Sequence, residues 1–267
     1  MRSTTSRPDP YIFPEWAAGN PPGGNNRPAG KAIRNPRINA GENTGVFIVA
    51  GQSNASNYTM GAAYTQANPS KIDVLNIYDG GVYAATEPVL GCETYGSDQT
   101  RGNIFVQVAD QLISAGVFQR VILIPIAIGG TPVNLWTTPF GDRLMVAFRR
   151  AQAVGLTVTG VLWMQGEADP GNTQAVYQAD LASVIAKPRA QGFAAPWFIG
   201  RCTYFTGTTS AAVRAAQTAI VNNVDIFAGA DTDTLTAAYR YDNGHFNSTT
   251  GAAAAATLWK NAIDAVF

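Results

Sequence analysis

The sequence predicts an open, largely parallel β-sheet with helices packed on both faces. Three observations carry this. Short continuous apolar runs recur along the chain, such as Val46–Ala50 (VFIVA) and Val121–Ile128, and an uninterrupted run of this length marks a strand buried on both faces. Segments with helical spacing of apolar residues separate most of these runs, and such alternation implies β-α-β units with right-handed crossovers. The 267 residues allow one large domain or two small ones, and neither an internal repeat nor a composition shift inside 45–267 signals a second domain.

Taken in order, Val46–Ala50 is the first buried strand. Val74–Tyr78, the turn Asp79-Gly80-Gly81 and Val82–Ala85 read as a hairpin or a strand with a return. Phe105, Val108, Ala109 and Leu112 fall on one helical face, closed by Gly116. The strand Val121–Ile128 follows, then a helix around Leu144–Val154 closed by Gly155. Next come strand Thr159–Met164, a helix around Gln174–Lys187, strand Trp197–Gly200 and a helix around Ser210–Val221. A last strand, Val224–Ala228, leads through a loop to a helix near Thr250–Ala265. In open sheets of this kind a ligand site lies beyond the carboxyl ends of the strands.

Composition removes several function classes. Lys plus Arg and Asp plus Glu are 18 each, so the net charge is zero, and the strong positive field of a nucleic-acid protein is missing. No apolar run approaches the roughly 20 residues of a membrane-spanning helix. One histidine and two cysteines, Cys92 and Cys202, argue against a His/Cys metal site and permit one disulfide at most. Charged residues are only 13% of the chain, against a usual share of roughly 25%. That surface suits an extracellular or virion-associated protein. No signal peptide is visible in the first twenty residues, which leaves a cytoplasmic location open.

Residues 1–44 differ from the rest. Pro8, Pro10, Pro14, Pro21, Pro22, Pro28 and Pro36 crowd there, with more Arg and Lys than Asp and Glu and no helical or strand period. The segment reads as an extended arm lying over the domain, pinned by Tyr11, Ile12, Phe13 and Trp16. The sharper alternative is docking of the arm to a larger assembly.

Four strand ends carry polar residues with chemical potential. The first strand runs directly into Gly51-Gln52-Ser53-Asn54. A serine just past a buried strand is presented at the sheet edge, although the same residues also suit a turn or a helix cap. The motif is not G-x-S-x-G, the nucleophile elbow of α/β-hydrolases. Strand Val121–Ile128 ends in Gly129-Gly130-Thr131-Pro132. Paired glycines let a backbone approach a ligand closely, but this is not the G-x-G-x-x-G of a dinucleotide site. Strand Thr159–Met164 ends in Gln165-Gly166-Glu167; the amide can donate to a developing oxyanion, and the carboxylate can brace a loop or a base. After the last strand, Asp242 and His245 stand three apart with Gly244 between them. That spacing can set the carboxylate against the imidazole, fix its tautomer and stabilise the imidazolium. Each feature alone has an ordinary structural reading. Their convergence on one rim favours the functional one.

In this order GQSN, IGGTP followed by Trp136, WMQGEAD and the closing DNGH resemble the sequence blocks of the SGNH hydrolases. More narrowly they are similar to the sialate O-acetylesterases and carbohydrate esterase family six, over roughly residues 45–267. The resemblance implies a three-layer α/β/α, flavodoxin-like domain with a five-stranded parallel sheet and no cofactor. It implies Ser53 as nucleophile, with Asp242 and His245 as orienter and base. It implies oxyanion donors from the Ser53 N–H, from Gly130 in preference to Gly129, and from Gln165 where many SGNH enzymes carry Asn. Glu167 would support the site. By position, Trp136, Arg201 and Tyr204 would line the acyl or sugar pocket, with a core anchor as the alternative for Trp136. The segment from Glu93 to Arg101 departs from the family pattern.

The activity implied is serine-ester removal of acetyl groups from O-acetylated carbohydrate, such as sialic acid, xylan or a surface polysaccharide. Two alternatives keep the same residues: a short-chain ester hydrolase of non-sugar substrates, and a glycan-binding or structural module on an esterase scaffold.

Overall fold

The computed structural model describes residues 28–93, 101–138 and 140–267. Seven strands form one sheet: β1 (Thr44–Gly51), β2 (Ile72–Leu75), β3 (Val82–Ala84), β4 (Arg120–Pro125), β5 (Gly160–Met164), β6 (Trp197–Arg201) and β7 (Ile226–Asp231). Among the described residues six helices accompany them: α1 (Ile104–Ser114), α2 (Val133–Thr137), α3 (Gly141–Ala153), α4 (Gln174–Arg189), α5 (Ala211–Ala219) and α6 (Gly251–Asp264). The strand order is β3-β2-β4-β1-β5-β6-β7, parallel except for the antiparallel edge pair β2–β3. The sheet is thus two strands wider than the five that the resemblance implies. One extra strand is the return of the hairpin, whose turn is closed by the Gly81 N–H donating to Asp79 Oδ1 at 2.8 Å.

Strand alternation divides the core into two layers. Val46, Ile48 and Ala50 of β1 pack with Val133, Trp136, Leu144, Tyr177 and Leu181 on one face. Phe47 and Val49 pack with Ile104, Phe105, Leu112, Ala255 and Trp259 on the other. All of these side chains are buried, each large one contributing about 1.5–3 kcal/mol. This is why the strands read as continuous apolar runs: both faces are covered.

Local signals set the helix ends. Asn103, Thr173 and Ser210 accept backbone N–H bonds at the starts of α1, α4 and α5. Gly116 and Gly155 take left-handed backbone (φ 78° at each) just past α1 and α3, as the sequence predicts.

Several element boundaries move: the strands expected at Val74–Tyr78 and Val121–Ile128 end earlier, at Leu75 and Pro125. The last strand is at Ile226–Asp231 rather than 224–228. Asn222 Oδ1 accepts from the N–H groups of Val224, Asp225 and Ile226, a side-chain-capped turn that ejects Val224 to 79% exposure. Residues 28–43, within the segment expected as an arm, are attached to the sheet. Ala32 and Arg34 exchange backbone bonds with β3 through Ala84 N–H to Ala32 O and Arg34 N–H to Val82 O, 2.8 Å each. Lys31 Nζ donates to Thr86 O and Pro88 O. Residues 28–43 therefore belong to the domain, where they cover part of its exposed edge. The anchors expected at Tyr11, Ile12, Phe13 and Trp16 lie outside the described residues. Among the described residues no helix is long and apolar enough to cross a membrane.

The topology fixes where chemistry can sit. From β1 the chain builds β2 and β4 on one side, then β5, β6 and β7 on the other. The order reverses at the carboxyl end of β1, the position where crevices open in sheets of this type.

Candidate active site

Ser53 lies at that reversal. Gly51 ends β1 with φ 131°, and a Cβ there would come 1.9 Å from Met164 O. Only glycine lets β1 pass β5 this closely. Gln52 then locks the turn: its N–H donates to Met164 O at 3.0 Å, and its Oε1 accepts from the N–H groups of Gly166 and Ala168. Ser53 opens a short 3₁₀ turn, Ser53–Ala55, and is 6% exposed.

His245 reaches it from the loop after β7. Its Nε2 is 2.8 Å from Ser53 Oγ and its Nδ1 is 2.7 Å from Asp242 Oδ2. The other Asp242 oxygen accepts the backbone N–H groups of His245 and Gly244 at 2.7 and 3.0 Å. Burial pushes the Asp242 carboxyl up, but the bonds from the His245 side chain and backbone outweigh it and hold the group below its ordinary value. Asp242 is therefore charged and fixes an Nδ1–H tautomer, leaving Nε2 to accept from the serine. The imidazole is walled by aromatic rings. Tyr58 stacks on it at 4.8 Å between centroids, Tyr241 at 5.8 Å, and Phe205 stands edge-on at 6.5 Å.

The two glycines after β4 have different duties. Gly129 N–H donates to Glu93 O at 2.9 Å, and a Cβ there would meet Tyr58 Oη at 2.4 Å. Gly130 has φ 74° and open space around the Cβ position. Among the described residues the N–H groups of Ser53 and Gly130 have no acceptor. Both groups lie at the carboxyl ends of the strands.

Gln165 does not meet the expectation of a donor available to an oxyanion. It is wholly buried. Its Nε2 donates to Thr131 O and Gln52 Oε1, 3.1 Å each, and to Asp169 Oδ2, while its Oε1 accepts from the Tyr177 hydroxyl at 2.8 Å. Two amide hydrogens face three acceptors, so none remains for substrate. Its place is to tie the ends of β1, β4 and β5 together.

Glu167 sits one layer below the serine. Its Oε1 accepts from Asn54 Nδ2 at 2.8 Å, and Asn54 also donates to Gly244 O at 3.1 Å. The residue after Ser53 is thus bound to the residue before His245. Arg240 holds the same loop from beneath, donating to Gly244 O, Leu235 O and Thr232 O and lying over the rings of Tyr204 and Phe246. Burial raises the Glu167 carboxyl to about 7 against the bond from Asn54 and the charge of Arg240. Its Oε2 is buried without a partner among the described residues.

The expected pocket residues are corrected. Trp136 is wholly buried, its Nε1 donating to Thr131 Oγ1 at 3.0 Å and its ring set edge-on to Trp163; it anchors the loop after β4. Tyr204 is 5% exposed and bonds Asn243 Oδ1 at 2.8 Å, which pins the histidine loop. Arg201 pairs with Asp231 at 3.1 Å and lines a separate surface hollow with Arg214 and Thr218. Cys92 and Cys202 are buried and unbonded to each other, and burial pushes the Cys92 thiol up to about 12. Among the described residues no cluster of His, Cys, Asp and Glu could hold a metal ion. Sequence reasoning missed Asn54, Tyr58, Phe205 and Arg240. Only Asn54 and Arg240 carried a local signal, the first inside GQSN and the second as a lone cation in Tyr239-Arg240-Tyr241.

Comparison with known proteins agrees with this architecture. Among curated proteins, none matches the chain. A protein from Arabidopsis thaliana superposes with a TM-score of 0.66 at 19% identity, over 85% of this chain and all of that one. A carbohydrate acetylesterase from Xanthomonas citri gives 0.58 at 16% identity, over 83% of this chain and 56% of that one. NanS gives 0.51 at 16% identity, over 84% and 96%. At these identities the likeness is one of fold. The family model for carbohydrate esterases described as sialic acid-specific acetylesterases matches residues 43–264, and this chain therefore belongs to that family of carbohydrate esterases.

Proposed function

We propose that Ser53, His245 and Asp242 hydrolyse acetyl esters of carbohydrate through a covalent serine ester. The observation that carries this is the unbroken chain of contacts from Ser53 Oγ through His245 to Asp242, at 2.8 and 2.7 Å. His245 Nε2 takes the Ser53 proton as Oγ attacks the acetyl carbon. The tetrahedral oxyanion is held by the backbone N–H groups of Ser53 and Gly130. The C–O bond to the sugar then breaks, and His245 returns the proton to the leaving hydroxyl. Water repeats the sequence on the acetyl-serine, releasing acetate.

Asp242 keeps the imidazole in its working tautomer and stabilises the imidazolium. A site built only to bind a glycan has no use for a charged carboxylate, an imidazole and a serine in register, so the binding-module reading is disfavoured. The sugar and the acetyl position are left to experiment, and the choice between sugar and simple esters is part of the test.

The test is acetate release from p-nitrophenyl acetate and from an O-acetylated sugar, wild type beside Ser53→Ala. Turnover of both esters that vanishes in the variant is expected. Equal rates in wild type and variant would remove Ser53 from the mechanism. Turnover of the simple ester alone would favour a non-sugar substrate.

A further inference from the structure

The turn beyond β6 is conformationally costly and well anchored. Thr206 and Gly207 have φ 49° and 86°, and the turn is closed by Phe205 N–H to Thr208 O at 2.9 Å and Thr208 N–H to Phe205 O at 3.1 Å. A β-branched threonine is disfavoured in left-handed backbone. The neighbouring loop contains a second such residue, Asn243 with φ 60°. The two are joined, because the Thr206 N–H donates to Asn243 O at 2.9 Å and the Tyr204 hydroxyl donates to Asn243 Oδ1 at 2.8 Å. Two left-handed non-glycine residues therefore lock this turn onto the loop that carries His245.

The side chain presented there is Phe205. Its ring stands edge-on to the imidazole, 6.5 Å between centroids, and presses on Gly244, where a Cβ would come 2.6 Å from it. Even so, Phe205 is 44% exposed while Tyr204 beside it is 5% exposed. Burial does not reward holding an apolar ring half in water on a strained turn. Strain kept beside a reactive group points to use.

The reaction says what would lie against it. His245 returns its proton to the leaving oxygen, so the alcohol half of the ester sits on the imidazole side of Ser53. The oxyanion donors, Ser53 and Gly130, lie on the acyl side. For a carbohydrate ester the alcohol half is a sugar ring, with an apolar face of C–H groups that packs on an aromatic surface. Resting on the esterase reading above, we propose that Phe205 is a specificity-determining residue that packs against the sugar ring bearing the ester.

The experiment compares an ester with a sugar on its alcohol side and one without. Steady-state rates are measured on methyl β-xylopyranoside triacetate and on ethyl acetate, for wild type, Phe205→Ala and Phe205→Trp. The expected result is a loss of roughly tenfold in kcat/KM for Phe205→Ala on the sugar ester, carried mainly by KM. Because the ring also borders the imidazole, Phe205→Ala should lower ethyl acetate turnover as well, but by at most about threefold and so clearly less than the sugar ester; an unchanged thermal midpoint reports an intact fold, and Phe205→Trp should restore the sugar ester. Equal losses on both esters, or none on the sugar ester, would overturn the inference while leaving the esterase reading in place. A wild type inert on both esters would overturn that reading and this inference with it.

Discussion

Asp242 uses both of its oxygens on one loop. One oxygen holds the imidazole; the other accepts two backbone N–H groups that shape the turn. Asp242→Asn keeps the size but supplies an amide that can present its N–H to Nδ1 and favour the wrong tautomer. The expected drop in kcat is on the order of 10³–10⁴-fold, as for the equivalent change in a serine protease triad. A variant within tenfold of wild type in acetate release would show that the carboxylate does not orient the ring. Glu167 gives a second test at this scale. Its carboxyl is raised from an ordinary 4.5 to about 7, so the native protein keeps a proton that the unfolded chain gives up. Stability should therefore fall as pH rises from about 4.5 to about 7, by up to about 3 kcal/mol, and level off above. Glu167→Gln cannot titrate. Subtracting its urea-unfolding curve from that of wild type between pH 4.5 and 8 should leave this slope, and parallel curves would contradict it.

The working element is the set of strand ends rather than any single helix or strand. Gln52 and Gln165 cross-link the ends of β1, β4 and β5 through side-chain amides. Gln165→Ala strands Thr131 O and removes one partner each from Asp169 Oδ2 and the Tyr177 hydroxyl, which keep Val133 N–H and the Gln165 carbonyl, at a cost of about 1–3 kcal/mol. We expect kcat and thermal midpoint to fall together in this variant. A tenfold or greater loss of kcat with an unchanged midpoint would instead return Gln165 to the oxyanion. The elements themselves were largely legible in the sequence. β1 and β5 lie where their apolar runs place them, because the runs reflect burial on both faces. Val224 misled because a capped turn can expose a valine, and apolar character alone does not say which side of a turn a residue falls on. Helix α2 was missed because five residues hold too little of a helical period to be read.

Over the whole molecule, the domain extends beyond its family core. Asp73 is buried at the start of the edge pair, where Arg120 grips Oδ2 through Nε and Nη2 at 2.8 and 2.6 Å and Arg34 approaches Oδ1 at 3.4 Å. The same Arg120 donates to Asn35 O and Arg37 O. One guanidinium thus ties residues 34–37 to the sheet. Arg120→Met should cost about 2–4 kcal/mol by leaving a buried carboxylate with one distant partner and two carbonyls unpaired. The midpoint in thermal unfolding should fall by several degrees, while acetate release below that temperature stays within about twofold because the site is at the opposite end of the strands. Adding Asp73→Asn should recover part of the loss, since the stranded charge is gone. No recovery would show that packing, not charge, holds the segment.

Read alone, the amino-acid chain carries the fold class, and the resemblance of its blocks to the SGNH hydrolases supplies the residues of the proposed triad. Both rest on information local in the chain: apolar runs, helical spacing, and Asp242 and His245 three residues apart on one turn. Which polar and aromatic groups are still available at the site depends on how the chain packs. Gln165 and Gly130 both follow parallel strands, yet one has its donors consumed by Thr131, Gln52 and Asp169 while the other keeps its N–H. Tyr204 and Phe205 are adjacent, yet one is sealed under Arg240 and the other faces water beside His245. Availability of that kind depends on partners tens of residues away, and no local pattern encodes where a distant side chain will spend its hydrogen bonds.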